Sequence, residues 1–334
     1  MTSRELVFKT LEFKNKDGRM PRQLWSLPCA EIAYPGKIDE ILTRFPTDIV
    51  GAPRNLSVPL ICKGDKFAIG DYIDEWGCKF TNIHPGIIGE VKDPPVKGDE
   101  WEDIDNVHIP EELLTFSIED VNEFCRKTDK FVQNTGGIDL FERLQHIRGP
   151  ENLYCDLIAC PEGVKKALER IHDFNCRLLE RWGQTEIDAF YMKDDWGSNN
   201  ALLISPTMWR EIFKPLYKDY CDIAKKYGKK VFMHSDGNIL EIIPDLIEIG
   251  VDALNSQVFL MGLENVEKFK GQITFWGEID RQHILVNCTP EETKEAARKV
   301  KNTLWNNGGF IAELEFGPGA KAENVIAAYE AWYE

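Results

Sequence analysis

From about residue 160 onward, short apolar runs alternate with helical patterns, and few folds can accommodate that order. A helix predicted over 161–182 leads into "IDAFYMKDD", a strand ending in acids. In "SPTMWREIFKPLYKDYCDIAKKYG", residues Trp209, Phe213, Leu216, Tyr220, Ile223 and Tyr227 step by three and four behind Ser205-Pro206, which predicts a one-faced helix. The strands "KKVFMH", "VDALNS", "QITFWGE" and "GGFIAELEF" follow, separated by helices over 240–249, near Glu264 to Phe269, and over 290–307, with a last helix over 323–333. A helix that carries the chain back to the starting end of a sheet makes successive strands parallel. With no early glycine-rich phosphate loop, the pattern favours a (β/α)8 TIM barrel over an open doubly wound sheet.

The first half is less regular. "FPTDIVGAP" and "FVQNTGG" read as two earlier barrel strands. Between roughly 60 and 110, short alternating runs broken by Gly and Pro read as a hairpin-like insertion over one end of the barrel. No linker or repeat divides the chain, so residues 1–334 are expected to form a single domain.

Lys and Arg total 40 against 56 Asp and Glu, a formal charge of −16, and no basic cluster offsets it. Nucleic acid is therefore not an expected partner. The first twenty residues contain no apolar leader, and no run nears the roughly 18 apolar residues of a membrane helix. A cytoplasmic protein without membrane contact is expected. The nine cysteines are scattered without a C-x-x-C pair, which argues against a disulfide framework or a thiolate zinc knuckle.

In such a barrel, chemistry gathers where strands end. The polar residues there are Asp48, Asn134, Asp194 and Asp195, His234 and Asp236, Asn255 and Gln257, Glu278 and Asp280, and Glu313 and Glu315. Each has an ordinary alternative. Asp236 suits a helix N-cap, His234 a satisfied core position, Asp195 and Asp280 caps, and Trp196 and Trp276 either the core or a pocket wall. As a set they converge on one rim, for which independent caps give no reason.

Over nearly its whole length the chain resembles the uroporphyrinogen decarboxylase superfamily, and more closely its corrinoid-linked methyltransferase-like branch. The resemblance is carried by "FPTDIV", "DDWGSNNALLISPTMWREIFKPLYK", "HSDGNILEIIPDLIEIGVDALNSQ", "TFWGEIDRQ" and "EFGPGAKAENVIAAYE". It implies a distorted (β/α)8 barrel, and family members are often dimers, so a homodimer is an expectation. Asp48 matches the aspartate that binds pyrrole N–H groups in the decarboxylases. Their arginine-rich substrate motif has no counterpart in "GRMPRQLWSLP", which argues against a polycarboxylate porphyrinogen as substrate.

The methyltransferase branch holds zinc with a His-x-Cys pair and a distal cysteine. His234 matches that histidine, Asp236 falls on the first cysteine, and Leu314 falls on or beside the second. The resemblance thus implies a metal held by His234 and Asp236 with Glu278 or Glu315. Carboxylates in place of thiolates give a harder Lewis acid, suited to polarising the oxygen or nitrogen of a methyl donor.

The reading that follows is a methyltransferase that demethylates a small O- or N-methylated compound onto a corrinoid protein, with zinc as cofactor. His234, Asp236 and Asp48 form its catalytic set, and Asp194, Trp196, Arg54, Asn255 and Gln257 bind substrate. The corrinoid must come with a partner, since the chain lacks a D-x-H-x-x-G signature. The alternatives are a decarboxylase-like lyase, with Arg54 taking the substrate carboxylate, and a non-catalytic small-molecule-binding member.

Overall fold

The computed structural model describes residues 1–16, 18–159 and 162–334. Eight parallel strands form a nearly closed barrel. In chain order they are β1 (Arg22–Ser26), β2 (Ile49–Gly51), β6 (Phe131–Gln133), β7 (Ala189–Lys193), β8 (Lys230–Ser235), β9 (Ala253–Ser256), β10 (Thr274–Trp276) and β11 (Phe310–Phe316). Around the barrel the order is β1-β11-β10-β9-β8-β7-β6-β2. Each strand therefore lies beside its sequence neighbour, as right-handed β/α units require. The remaining three strands, β3 (Gly70–Ile73), β4 (Lys79–Asn82) and β5 (Glu90–Asp93), form a separate antiparallel sheet, the expected insertion.

The later predicted elements occur within a few residues of their expected bounds. Pro161, the expected start of one helix, lies outside the described residues, and that helix runs Glu162–Gly183. Among the described residues no helix is long and apolar enough to cross a membrane.

Strand β1 was not among the expected strands. It occupies the place given to "FPTDIV", which becomes β2. The two do not pair as a ladder; they meet through Asp48. The Asp48 N–H donates to the Arg22 carbonyl at 2.8 Å, and its carboxylate accepts from the Arg22 N–H at 3.0 Å. Arg19 completes the seam with two further bonds, at 2.7 and 3.1 Å, and the Ser3 hydroxyl donates at 2.6 Å.

Asp48 precedes β2, so it stands at the N-terminal end of the barrel, opposite the strand ends. The same end is plugged by the helix Ser3–Leu11, started by a Thr2–Glu5 capping box. Its Val7 and Leu11 pack on inward-facing Ile49, Phe131, Ala189, Phe232, Ala253 and Ile311. The lower barrel is thus a dry core, and only the C-terminal end is left for a site.

A strand's side chains alternate between lumen and helix layer with period two. Two residues above the apolar ring this places Gln133, Tyr191, His234, Asn255 and Glu313 on the lumen side. The barrel changes from apolar to polar within that single step.

Candidate functional site

At the mouth of the barrel, His234 on β8 is fixed by Asn255 on β9, its partner in the parallel register. The Asn255 amide N–H groups donate to the Trp276 carbonyl at 2.5 Å and to Glu313 Oε2 at 2.6 Å, leaving Oδ1 to accept. Oδ1 lies 2.6 Å from His234 Nδ1, so Nδ1 carries the hydrogen and Nε2 is the nitrogen available for chemistry. Nε2 faces Asp195 Oδ1 at 3.5 Å and Asp236 Oδ1 at 3.6 Å. A neutral imidazole would turn its lone pair toward two carboxylates, so this arrangement calls for a cation between them, either a proton or a metal ion.

The loops after β7 and β8 are stitched together to hold these acids. The Asp236 N–H donates to Asp195 Oδ1 at 2.9 Å, and the Gly197 N–H donates to the Asp236 carbonyl at 3.1 Å. Gln257 Oε1 accepts from the Gly237 N–H at 2.8 Å. Gly237 has φ +81°, and a Cβ there would come within 2.1 Å of the Gly197 backbone, so only glycine allows the crossing. "HSDG" is thus a strand end that presents a histidine and a carboxylate, and Asp236 is not the cap of the helix behind it.

Arg281, in the loop after β10, lies amid the remaining acids. It pairs closely with Asp236, reaches Glu315 at 2.7 Å and stands 3.7 Å from Glu278. Burial pushes the Glu278 carboxyl up to about 8 against the pull of Arg281, and burial with the nearby Glu278 and Glu315 raises Glu313 well above the carboxylate range. Burial disfavours the charged form of His234, but Asp236, Asp195 and the Asn255 bond outweigh it and raise the pKa. The mouth is therefore a set of acids balanced by one arginine and one imidazole.

Several expected site residues lie elsewhere. Asp48 closes the barrel at its far end and cannot join His234. Asp194 and Trp196 follow β7 in the outward phase of the alternation, whereas Lys193 and Asp195 follow the inward one. Asp194 accepts the Leu140, Phe141 and Glu142 N–H groups at 2.6–3.0 Å, capping the helix Phe141–Arg148. Trp196 is fully buried and stacks on Phe141 at 4.2 Å, in the helix layer and not in a pocket wall. Glu278 and Glu315 turn to Arg281, so neither joins the ligand cluster. Asn255 and Gln257 are at the mouth as positioning residues, and Arg54 lines a neighbouring cavity. Asp280 is a cap, accepting from the Gln282 and His283 N–H groups.

Among the described residues, the cluster that could hold a metal ion is Asp195, His234 and Asp236, whose potential ligand atoms all lie within 4.8 Å of one another. The donor set suits a divalent ion: one imidazole nitrogen oriented by an amide behind it and two carboxylate oxygens. The Asp195 and Asp236 side chains are 38% and 32% exposed, which leaves room for a further ligand from solvent. Sequence reasoning missed Asp195 as a neighbour of His234 Nε2, Arg281, and Trp25, whose ring packs edge-on to His234 at 5.3 Å. Arg281 had a signal, as the nearest cation to the strand-end acids in "WGEIDR". Trp25 had none once β1 went unrecognised.

The uroporphyrinogen decarboxylase (URO-D) family model matches residues 74–334. No curated protein matches the chain by sequence. Among solved structures, a methyltransferase from Methanosarcina mazei aligns over 100% of this chain and 98% of its own, at 13% identity and TM-score 0.68. The IOLI protein, solved with a bound zinc atom, aligns over 93% of each chain at 11% identity and TM-score 0.42. At 13% identity the likeness to the Methanosarcina methyltransferase is one of fold.

Proposed function

The chain belongs to the uroporphyrinogen decarboxylase family, and on that premise we propose that it is a methyltransferase that moves a methyl group from a small O- or N-methylated compound to a corrinoid carried by a partner protein. The observation that supports this most is the geometry at His234: Asn255 turns Nε2 toward two carboxylates at an open barrel mouth. The Methanosarcina methyltransferase, alike in fold over the full length, is consistent with it.

In this reading Asp195, His234 and Asp236 hold a divalent metal, zinc being the ion suited to them. When bound, the metal supplies Lewis acidity at the oxygen or nitrogen of the methyl donor. The chain's own residues do the rest. Asn255 keeps the His234 ring in place, and Gln257 and Gly237 fix the loop that carries Asp236. Trp25 and Tyr191 wall the mouth with aromatic surface, and the protonated carboxyls of Glu278 and Glu313 limit the negative charge facing the donor.

Arg281 favours a second reading. It already neutralises Asp236 and Glu315, so a proton on His234 would complete the balance without metal, leaving an imidazolium to act as the acid of a lyase. Asp48 has no part in it, because it lies at the far end of the barrel.

The test is methyl transfer to free cobalamin reduced to cobalt(I), followed by its visible spectrum, with zinc-loaded protein and a panel of methyl ethers and methylamines. Conversion to methylcobalamin that is lost in H234A is expected. Turnover of a carboxylic acid to carbon dioxide by chelator-treated protein, with no methyl transfer from any donor, would contradict the proposal in favour of the lyase.

A further inference from the structure

Beside the loop that follows β6 lies a cavity of about 590 Å³, between the barrel mouth and the three-stranded sheet. That volume suits a small-molecule ligand. It adjoins the candidate metal cluster: Lys193 in its wall is paired in register with His234 and stands two residues before Asp195.

Most charges around this cavity are already matched. Arg143 pairs with Asp74 at 2.6 Å and Asp139 at 3.2 Å, and Lys193 pairs with Glu142 at 2.6 Å and Asp139 at 3.6 Å. Among the described residues of the lining, Arg54, Lys66 and Glu75 enter no ion pair, and the His146 ring has an unpartnered nitrogen. Arg54 forms no ion pair among the described residues and reaches only the Thr135 carbonyl, at 3.4 Å. It lies across Gly136, where a Cβ would come within 2.6 Å of its guanidinium. His146 Nδ1 is buried in the wall without a hydrogen-bond partner among the described residues, and burial and Arg143 together lower its pKa, so the ring is neutral near pH 7. Much of the remaining lining is apolar, contributed by Leu60, Tyr72, Trp76, Phe80, Leu113 and Phe174.

A half-buried, unpaired guanidinium beside aromatic walls matches a ligand with one anionic end and a flat apolar body. We propose that this cavity binds a small aromatic carboxylate, with Arg54 as the partner of its acid group and His146 as a hydrogen-bonding group in the wall. Glu75 also lines the cavity, beyond ion-pair distance of Arg54, and its charge opposes the anion. As the substrate pocket of a methyltransferase the cavity rests on the reading above; as an anion site it does not.

The experiment is calorimetric titration of the full chain with 4-methoxybenzoate, using neutral 4-methoxybenzamide as the control. The wild type and H234A are expected to bind the acid alike, with the amide at least about tenfold weaker. R54Q is expected to lose about 10- to 100-fold in affinity for the acid, with R54K intermediate. E75Q is expected to bind the acid several-fold tighter, a gain that damage to the fold would not produce. Failure of the wild type to bind, equal binding of acid and amide, or an unchanged R54Q would each overturn the inference. So would loss of binding in H234A, which would place the anion at the metal cluster instead. Acid binding without methyl transfer would leave the anion site standing and count against the methyltransferase reading alone.

Discussion

His234 and Asn255 stand side by side on neighbouring strands, joined by a 2.6 Å bond from Nδ1 to Oδ1, and that bond decides which ring nitrogen meets the acids. The same amide also holds Glu313 and the Trp276 carbonyl, so one side chain ties its own strand to three others at the height where the lumen turns polar.

Asn255→Ala is therefore expected to weaken zinc binding about 10- to 100-fold without removing a ligand, as outer partners of metal-bound histidines commonly do. It should also cost about 1–3 kcal/mol of stability through the unpaired Glu313 and carbonyl groups. Zinc titration against a competing chelator, beside urea unfolding, reads both effects. Unchanged zinc affinity would mean that the ring is held by something else.

Adjacent aspartates should separate binding from folding. Asp195→Asn is expected to abolish metal binding while leaving the melting temperature nearly unchanged, since an amide oxygen still accepts from the Asp236 N–H. Asp194→Asn weakens a buried acceptor of three backbone N–H groups and of the Tyr217 hydroxyl and should cost about 2–3 kcal/mol, with metal binding intact in the folded protein. Reversed outcomes would mean that the alternation of side chains after β7 runs in the other phase.

Glu278 sets a pH dependence. Its folded-state pKa is raised from 4.5 to about 8, so the folded protein holds this proton more tightly than the unfolded chain does. The contribution to stability is fully present below about 4.5 and is lost as pH rises toward 8. His234, also raised, acts in the same direction. Chelator-treated Glu278→Gln should therefore show a flatter fall in stability than wild type between these limits, measured by urea unfolding across pH. Parallel curves would show that Glu278 is ionised throughout.

Asp48→Asn should act on the barrel seam and not on the site. Arg19 would lose its charge partner, and the Arg22 and Ser3 bonds would weaken, for a cost of about 2 kcal/mol in unfolding experiments. Zinc affinity should be unchanged; a loss of metal or of donor turnover in the folded variant would return Asp48 to the chemistry.

The barrel was legible because five strand-then-helix units follow one another with little else between them. Strand β1 was not, being five residues bracketed by Pro21 and Pro28, with its ladder partner β11 at the other end of the chain. Missing it displaced "FPTDIV" by one strand and placed Asp48 at the wrong end of the barrel, since β2 is only three residues long and its periodicity cannot fix a phase. The choice between Asp194 and Asp195 turned on the same phase, which the ladder from Phe190 to Lys193 settles in three dimensions. That "HSDG" presents a histidine and a carboxylate at the barrel mouth could be read from its place at a strand end. The role of Arg281 could not, because it depends on acids from two loops and from strand β11.

The most direct measurement is the zinc content of protein purified without chelator and then dialysed with zinc, for wild type beside His234→Ala, Asp195→Asn and Glu315→Gln. Near-stoichiometric zinc in wild type and Glu315→Gln, with loss in the other two, is expected if Asp195, His234 and Asp236 form the site and Arg281 holds Glu315 aside. Absence of zinc from the wild type, or loss of zinc in Glu315→Gln with full retention in Asp195→Asn, would contradict it.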